Sequence, residues 1–185
     1  VFLGFEYVAI YMIALQINGI IGMPLAVSNL VYEPKISEQY VRGDFIKLQK
    51  LYKQIQIVVG PISLIGLIMF YLLGFSFISY VYGEDYASSY WAIMILGFSQ
   101  IISSFLGPAG SYLQMTKNEN SVLNGLIISL LLNILLNLLL IPAYELIGAA
   151  ISTGISLIIL KLYYIFWLKK IFKNKLQINN SNNLD

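Results

Sequence analysis

Five polar or small residues recur along the first long apolar run at spacings typical of one helix face. Tyr11, Asn18, Gly22, Asn29 and Glu33 are separated by 7, 4, 7 and 4 residues. At 3.6 residues per turn they lie within about 60° of one another, so they form a polar stripe along a helix. In a membrane, such a stripe either lines a hydrophilic path or hydrogen-bonds neighbouring helices. Asn18 and Asn29 are therefore candidate cavity residues, with both alternatives open.

Two more embedded polar residues are candidates for substrate contact. Gln100 precedes the sequence GPAG at 107–110 and is accompanied by Ser99, Ser103 and Ser104. These serines can bond the carbonyls left free by a proline break, while Gln100 either contacts substrate or helps in that repair. Lys161 lies about seven residues, or roughly 10 Å, inside the last apolar run. Its amine either faces a cavity that takes an anion or extends to the membrane interface.

Other polar residues have a structural interpretation. Asn133 and Asn137 share a face with Ser129 and are predicted to be interhelical contacts. A small-residue seam for close helix packing is formed by Gly148, Ser152 and Ser156. The chain has no Cys and no His, which removes thiol nucleophiles, sulfur ligands and the commonest proton shuttle. We predict no catalytic residue, metal site or cofactor, and therefore no enzyme.

Hydropathy defines the elements that position these residues. The 185 residues are 58% apolar and only 11% charged, with a mean hydropathy of +0.77. These values are typical of an integral membrane protein built from helices. Runs of 20 or so apolar residues span a hydrocarbon core of about 30 Å. The predicted fold is all-α, with five complete transmembrane helices at about 8–32, 55–81, 90–115, 121–141 and 147–168.

A basic amphipathic helix is predicted at 44–54, between the first two spans. Apolar residues recur there every three or four positions, with Lys47, Lys50 and Lys53 on the opposite side and Asp44 as the N-cap. Such a helix lies along the lipid headgroups.

The loops alternate in charge. Ten Lys or Arg fall in loops of one side and none in loops of the other, which contain Glu6, Glu84 and Glu145. The positive-inside rule places the basic loops and the C-terminus in the cytoplasm. Residues 171–185 are predicted to be a disordered cytoplasmic tail. The basic residues form no continuous stripe, so no nucleic-acid partner is predicted.

The order of several segments resembles a known family. These segments are ALQINGIIGMPLAVSNLVYEPKISEQYVRGD, YGEDYASSYWAIMILGFSQIISSFLGPAGSYLQMTKNEN and NILLNLLLIPAYELIGAAIST. Together they resemble the C-terminal half of the polysaccharide transporters, or O-antigen flippases (Wzx-like), of the multidrug, oligosaccharidyl-lipid and polysaccharide exporter superfamily. The residues that match are Asn29, Pro34, Gly43, Asp44, Gly83, Tyr86, Pro108, Thr116, Asn137, Pro142, Gly148 and Ala149.

The resemblance implies a two-lobed, V-shaped transporter of the bacterial inner membrane. Residues 1–170 would form most of its C-terminal lobe, and the N-terminal lobe would belong to the part of the protein that precedes this chain. The implied activity moves an undecaprenyl-diphosphate-linked oligosaccharide, an O-antigen or capsule repeat unit, from the cytoplasmic to the outer leaflet. Lys161 would supply a cation to the cavity. The implied partners are this substrate, membrane lipids and polysaccharide polymerases or transferases of lipopolysaccharide biosynthesis.

Two other functions remain open. A multidrug or cation antiporter of the same superfamily would need a carboxylate inside a span for ion coupling. Glu6, Glu33 and Glu145 all lie at span ends. A non-transporting membrane scaffold for polysaccharide assembly would use the basic helix as its docking surface, although anionic lipid also attracts such a helix.

Overall fold

The computed structural model describes residues 5–86 and 89–181, and all its regular elements in this part are helical. The five α-helices are α1 (Phe5–Val41), α2 (Phe45–Val81), α3 (Ser89–Leu106), α4 (Ala109–Met115) and α5 (Glu119–Ser181), with a 3-10 turn at Glu84–Tyr86. Four helical stretches are long and apolar enough to cross a membrane: Tyr7–Val41, Phe45–Val81, Ser89–Leu106 and Glu119–Lys173. The prediction of an all-α, multi-pass membrane protein is therefore confirmed.

The longest element, α5, is a hairpin rather than a straight rod. Tyr164 donates a hydrogen bond to the carbonyl of Val122 at 3.1 Å, and Ser129 donates to Ser156 at 2.9 Å. A straight helix would separate Val122 from Tyr164 by about 63 Å at 1.5 Å per residue. The chain reverses at Glu145, whose φ of 48° and ψ of −125° are not helical. The first limb (119–144) therefore packs antiparallel to the second limb (146–181).

Two predicted boundaries differ in the structure. Helix α1 continues through Pro34 to Val41, although the first span was predicted to end near 32. The predicted interfacial helix at 44–54 is not separate, since it forms the first turns of α2, whose N-cap is Asp44. Both extensions bury apolar side chains, because Ile36 and Leu48 belong to one core cluster and are fully buried. That burial outweighs the backbone hydrogen bond lost at Pro34.

The predicted break near 107–110 is present. Gly107 has φ of 82°, α3 ends at Leu106, and α4 begins after Pro108. The serines do not repair this break as predicted. Instead, the Gln56 amide of α2 donates to the carbonyls of Phe105 and Leu106 at 2.9 and 3.1 Å, and the Tyr52 hydroxyl also donates to Leu106.

The C-terminal segment also differs from its prediction. The second limb of α5 remains helical through Ser181, where disorder was predicted from residue 171. The rest of the predicted tail, residues 182–185, lies outside the described part of the chain. Phe172 belongs to the core cluster that contains Ile36 and Leu48. Burial therefore fixes the beginning of the segment that was predicted to be disordered.

Candidate functional site

The polar stripe of α1 faces the other helices over its whole length. At one end, the Tyr11 hydroxyl lies 2.8 Å from the Thr153 hydroxyl of α5. In the middle, Gly22 lies against Gln100 of α3. At the other end, Glu33 accepts a hydrogen bond from Ser111 of α4 at 2.9 Å. The stripe therefore contacts α5, α3 and α4 in turn, and it does not face lipid.

Asn18 and Asn29 lie between these contacts, and their carbonyl oxygens have no partner. Asn18 is only 9% exposed, and Asn29 is half-buried. Among the residues that the structure describes, no hydrogen bond reaches Oδ1 of either side chain. A buried acceptor without a partner costs about 1–3 kcal/mol, so such groups normally bind water or a ligand. Packing by hydrogen bonds to other helices does not account for these two oxygens.

Gln100 lies beside the same stripe, which the sequence did not indicate. A Cβ placed on Gly22 would be 2.8 Å from Nε2 and 3.0 Å from Cδ of Gln100, so a larger residue at position 22 would displace the amide. Along α1, Gly22 lies between Asn18 and Asn29. Gln100 of α3 thus lies beside the α1 stripe at a position between Asn18 and Asn29.

Lys161 lies on the second limb of α5 and is half-buried. Gly154 and Leu168 lie seven residues before and after Lys161, so they share its helix face to within about 20°. Gly154 packs against the Ser99 hydroxyl of α3, and Leu168 belongs to the core cluster that includes α4. Lys161 therefore faces α3 and α4. In the described part of the chain, it forms no ion pair and no hydrogen bond with the other three candidates.

A polar network between α1 and the hairpin was not predicted as a site. Thr153 contacts Tyr11, and the Asn133 amide donates to Thr153 at 3.4 Å. The Asn137 amide donates to Asn133 Oδ1 at 2.9 Å, while the Oδ1 of Asn137 is buried without a partner in the described residues. Asn133 is thus an interhelical contact as predicted, but Asn137 bonds only within its own helix.

These residues surround a cavity of about 340 Å³ between the start of α1 and both limbs of α5. Thr153 was missed because a single hydroxyl in an apolar run carries no distinctive spacing. The seam of Gly148, Ser152 and Ser156 lies on the helix face next to that of Thr153. It has the predicted packing role, since Ser129 of the other limb donates a hydrogen bond to the Ser156 carbonyl.

Clusters of carboxylate side chains are candidate metal sites. No group of three or more Asp or Glu side chains that could hold a metal ion occurs among the described residues. The site offers neutral amides and hydroxyls, which can bind hydroxylated or amide-bearing ligands.

Comparisons with known proteins agree with a membrane carrier. A family model described as MatE matches residues 2–139. The "Capsular polysaccharide biosynthesis protein CapF" of Staphylococcus aureus is 27% identical over 142 residues, which are 77% of this chain and 36% of that protein. The chain therefore spans little more than a third of this relative's length. No solved structure matches significantly.

Proposed function

The chain belongs to the MatE family of membrane transporters, and on that premise we propose that it is part of a flippase for a lipid-linked oligosaccharide. The substrate is an undecaprenyl-diphosphate-linked repeat unit of O-antigen or capsule, moved from the cytoplasmic to the outer leaflet of the bacterial inner membrane. The similarity to CapF, whose name refers to capsular polysaccharide biosynthesis, supports a polysaccharide substrate.

The inward-facing stripe of α1 is the observation on which this proposal depends. Polar groups inside a membrane are costly and occur where they face protein or a water-filled path. Here the stripe is bonded at Tyr11 and Glu33, while in the described part of the chain the side-chain oxygens of Asn18 and Asn29, which lie between these two residues, have no partner. A row of polar groups along a membrane helix, in which two amide oxygens are available as hydrogen-bond acceptors, is suited to sugar hydroxyls that pass along it.

Both limbs of α5 cross the membrane in this proposal, which gives five crossings. The first limb, 119–144, is about 39 Å long, and the part of the second limb from 146 to 173 is about 42 Å, so each exceeds a hydrocarbon core of about 30 Å. The hairpin tip at Glu145 then lies outside, whereas Lys47 and the C-terminus lie in the cytoplasm.

The other partners follow from the same proposal. Lys161 meets the diphosphate as a cation that has no ion pair among the described residues. The rest of the protein supplies a second lobe, which closes the cavity. Membrane lipids hold the undecaprenyl tail, and polysaccharide polymerases or transferases receive the unit after transport.

The proposal is tested in the full-length protein by surface polysaccharide and by the leaflet distribution of its lipid-linked precursor. Asn18→Ala and Lys161→Ala are expected to lower surface polysaccharide and leave precursor on the inner leaflet, at unchanged protein level. Gln16→Ala is the matched control, because Gln16 lies on the same helix but is exposed. Normal polysaccharide in both variants would refute the site. Lost drug resistance with normal polysaccharide would instead favour the antiporter.

The five crossings have a separate test. With cysteines introduced singly at Tyr144 and Lys47, an impermeant thiol reagent added to intact cells should label the first and spare the second. Labelling of both from one side would contradict the proposed path of α5.

A further inference from the structure

Two cavities adjoin at the hairpin-tip end of the helix bundle. The first, about 340 Å³, contains the amide and hydroxyl network of Asn133, Asn137 and Thr153. The second, about 440 Å³, is lined by Trp91, Tyr144 and the hairpin tip. Tyr7 and Leu146 line both, so the two cavities lie next to each other at these residues.

The lining combines neutral hydrogen-bonding groups with aromatic rings. Asn137 has a buried Oδ1 without a partner in the described part, and Tyr11 and Thr153 contribute hydroxyls on the facing wall. In the second cavity, Trp91 and Tyr144 are 64% and 58% exposed, so their ring faces are accessible. An amide offers one acceptor and two donors, which suits neighbouring hydroxyls of a ring. Aromatic rings pack against apolar faces of a ligand.

The charges of the residues that line the cavities restrict the charge of a ligand that can bind there. Among the residues that the structure describes, neither cavity is lined by Lys or Arg, and the second is lined by Glu145. A phosphate or carboxylate ligand would meet no cation there and would be repelled by Glu145. The amides, hydroxyls and aromatic rings of this lining suit a neutral, hydroxylated ligand with apolar faces. A pyranose ring has this combination, and a cavity of about 340 Å³ is near the lower end of the range for small-molecule sites.

The backbone reversal at the hairpin tip adjoins the second cavity. Glu145 is a non-glycine residue with positive φ, at a position that lines the second cavity. Such strain costs about 1–3 kcal/mol and is often found at ligand sites.

From these observations we propose that the two neighbouring cavities bind neutral pyranose units of an oligosaccharide, with Asn137 bonding ring hydroxyls and Trp91 stacking on a ring face. This inference rests on the proposed function, since it assigns sugar recognition to the hairpin-tip end. The diphosphate binds elsewhere.

The test uses the full-length protein in lipid nanodiscs and measures binding by equilibrium dialysis. The probes are the tritiated oligosaccharide released by mild acid from the lipid-linked precursors of the producing cells, the intact precursor, and inorganic diphosphate. The free oligosaccharide is expected to bind, and Asn137→Ala and Trp91→Ala should each weaken its binding about tenfold. Inorganic diphosphate should not compete with it.

Matched controls are available in the chain. Asn124→Ala changes an exposed asparagine of the same limb. Trp167→Ala changes the other tryptophan, which is not among the residues that line the two cavities in the described part of the chain. Both should bind the oligosaccharide as the unmodified protein does. Equal weakening by Asn124→Ala and Asn137→Ala would overturn the proposal, as would competition by diphosphate.

Failure of this inference is distinguishable from failure of the proposed function. If only the intact precursor binds, and Asn137→Ala and Trp91→Ala leave its binding and transport unchanged, the sugar site is refuted while the flippase stands. If the free oligosaccharide binds as expected but the precursor is never moved between leaflets, the transport proposal falls and the sugar site remains.

Discussion

Substitution of Gly148 by alanine should lower the free energy of unfolding of the α5 hairpin. A Cβ at this position would lie 2.6 Å from the carbonyl carbon of Leu140 and 3.0 Å from the nitrogen of Ile141, and closer still to the Leu140 oxygen. Ordinary contacts between carbon atoms are about 3.5–4.0 Å, so the overlap is about 1 Å. Because the neighbours are backbone atoms of the opposite limb, no side chain can rotate to relieve it.

The expected loss is worked from this overlap. Overpacking in a filled interior typically costs about 1–3 kcal/mol, and a rigid backbone neighbour puts Gly148→Ala at the upper end. A loss of about 3 kcal/mol lowers the ratio of folded to unfolded protein by about 100-fold. The free energy of unfolding is measured in mixed detergent micelles with increasing mole fraction of sodium dodecyl sulfate, in the full-length protein.

Gly19→Ala is the control for this measurement. Nothing lies within 4 Å of a Cβ at Gly19, and alanine is favoured over glycine in a helix by up to about 1 kcal/mol. This variant should be neutral or slightly stabilised. If Gly148→Ala is as stable as Gly19→Ala, the limbs do not approach each other as closely as described, and the hairpin geometry is wrong.

Three further predictions concern other parts of the bundle. Asn18→Leu should raise the free energy of unfolding by about 1 kcal/mol, since it removes a buried acceptor that has no partner among the described residues, and should lower transport. A loss of stability in detergent unfolding would show that this oxygen is bonded. Gln56→Ala should lower stability by about 1–2 kcal/mol, because the Phe105 carbonyl loses its side-chain donor while the Leu106 carbonyl retains the Tyr52 hydroxyl, whereas exposed Gln54→Ala should not. Equal losses of stability in Gln56→Ala and Gln54→Ala would show that Gln56 does not bond the carbonyls at the break. The hydrogen bond from Lys47 lowers the pKa of the Asp44 carboxyl below its usual value of 3.8, so its stabilisation of α2 is present above that pH and lost as pH falls through the lowered pKa. Asp44→Asn should remove this acid dependence of helix content, measured by circular dichroism between pH 6 and about 2.

The amino-acid sequence was sufficient for the helical membrane class and for most positions where the chain turns. Hydropathy located the apolar runs, because each must be long enough to cross a bilayer. Pro108 in the sequence GPAG at 107–110 indicated the break after α3, and Pro142 followed by Tyr144 to Leu146 indicated the reversal within α5. These signals are local, since they act through backbone donors and allowed dihedral angles of a few neighbouring residues.

Helix boundaries and hydrogen-bond partners depended on tertiary contacts. Pro34 indicated an exit from the membrane helix, yet burial of Ile36 against the start of α2 keeps α1 helical to Val41. Nearby serines were expected to repair the break after α3, but the donors are Tyr52 and Gln56, about 50 residues earlier. Such long-range partners leave no periodic signal, because only folding brings them together.

The sequence by itself therefore determined that α1 carries one polar stripe, since helix geometry converts the spacing of Tyr11, Asn18 and Asn29 into a common face. Only the tertiary structure decided that this face turns towards α3, α4 and α5. It also decided that Gln100 joins it at Gly22 and that Thr153 completes a network with Tyr11. The physical reason is that periodicity describes one helix at a time, whereas a site requires the relative positions of several helices, which close packing between them sets.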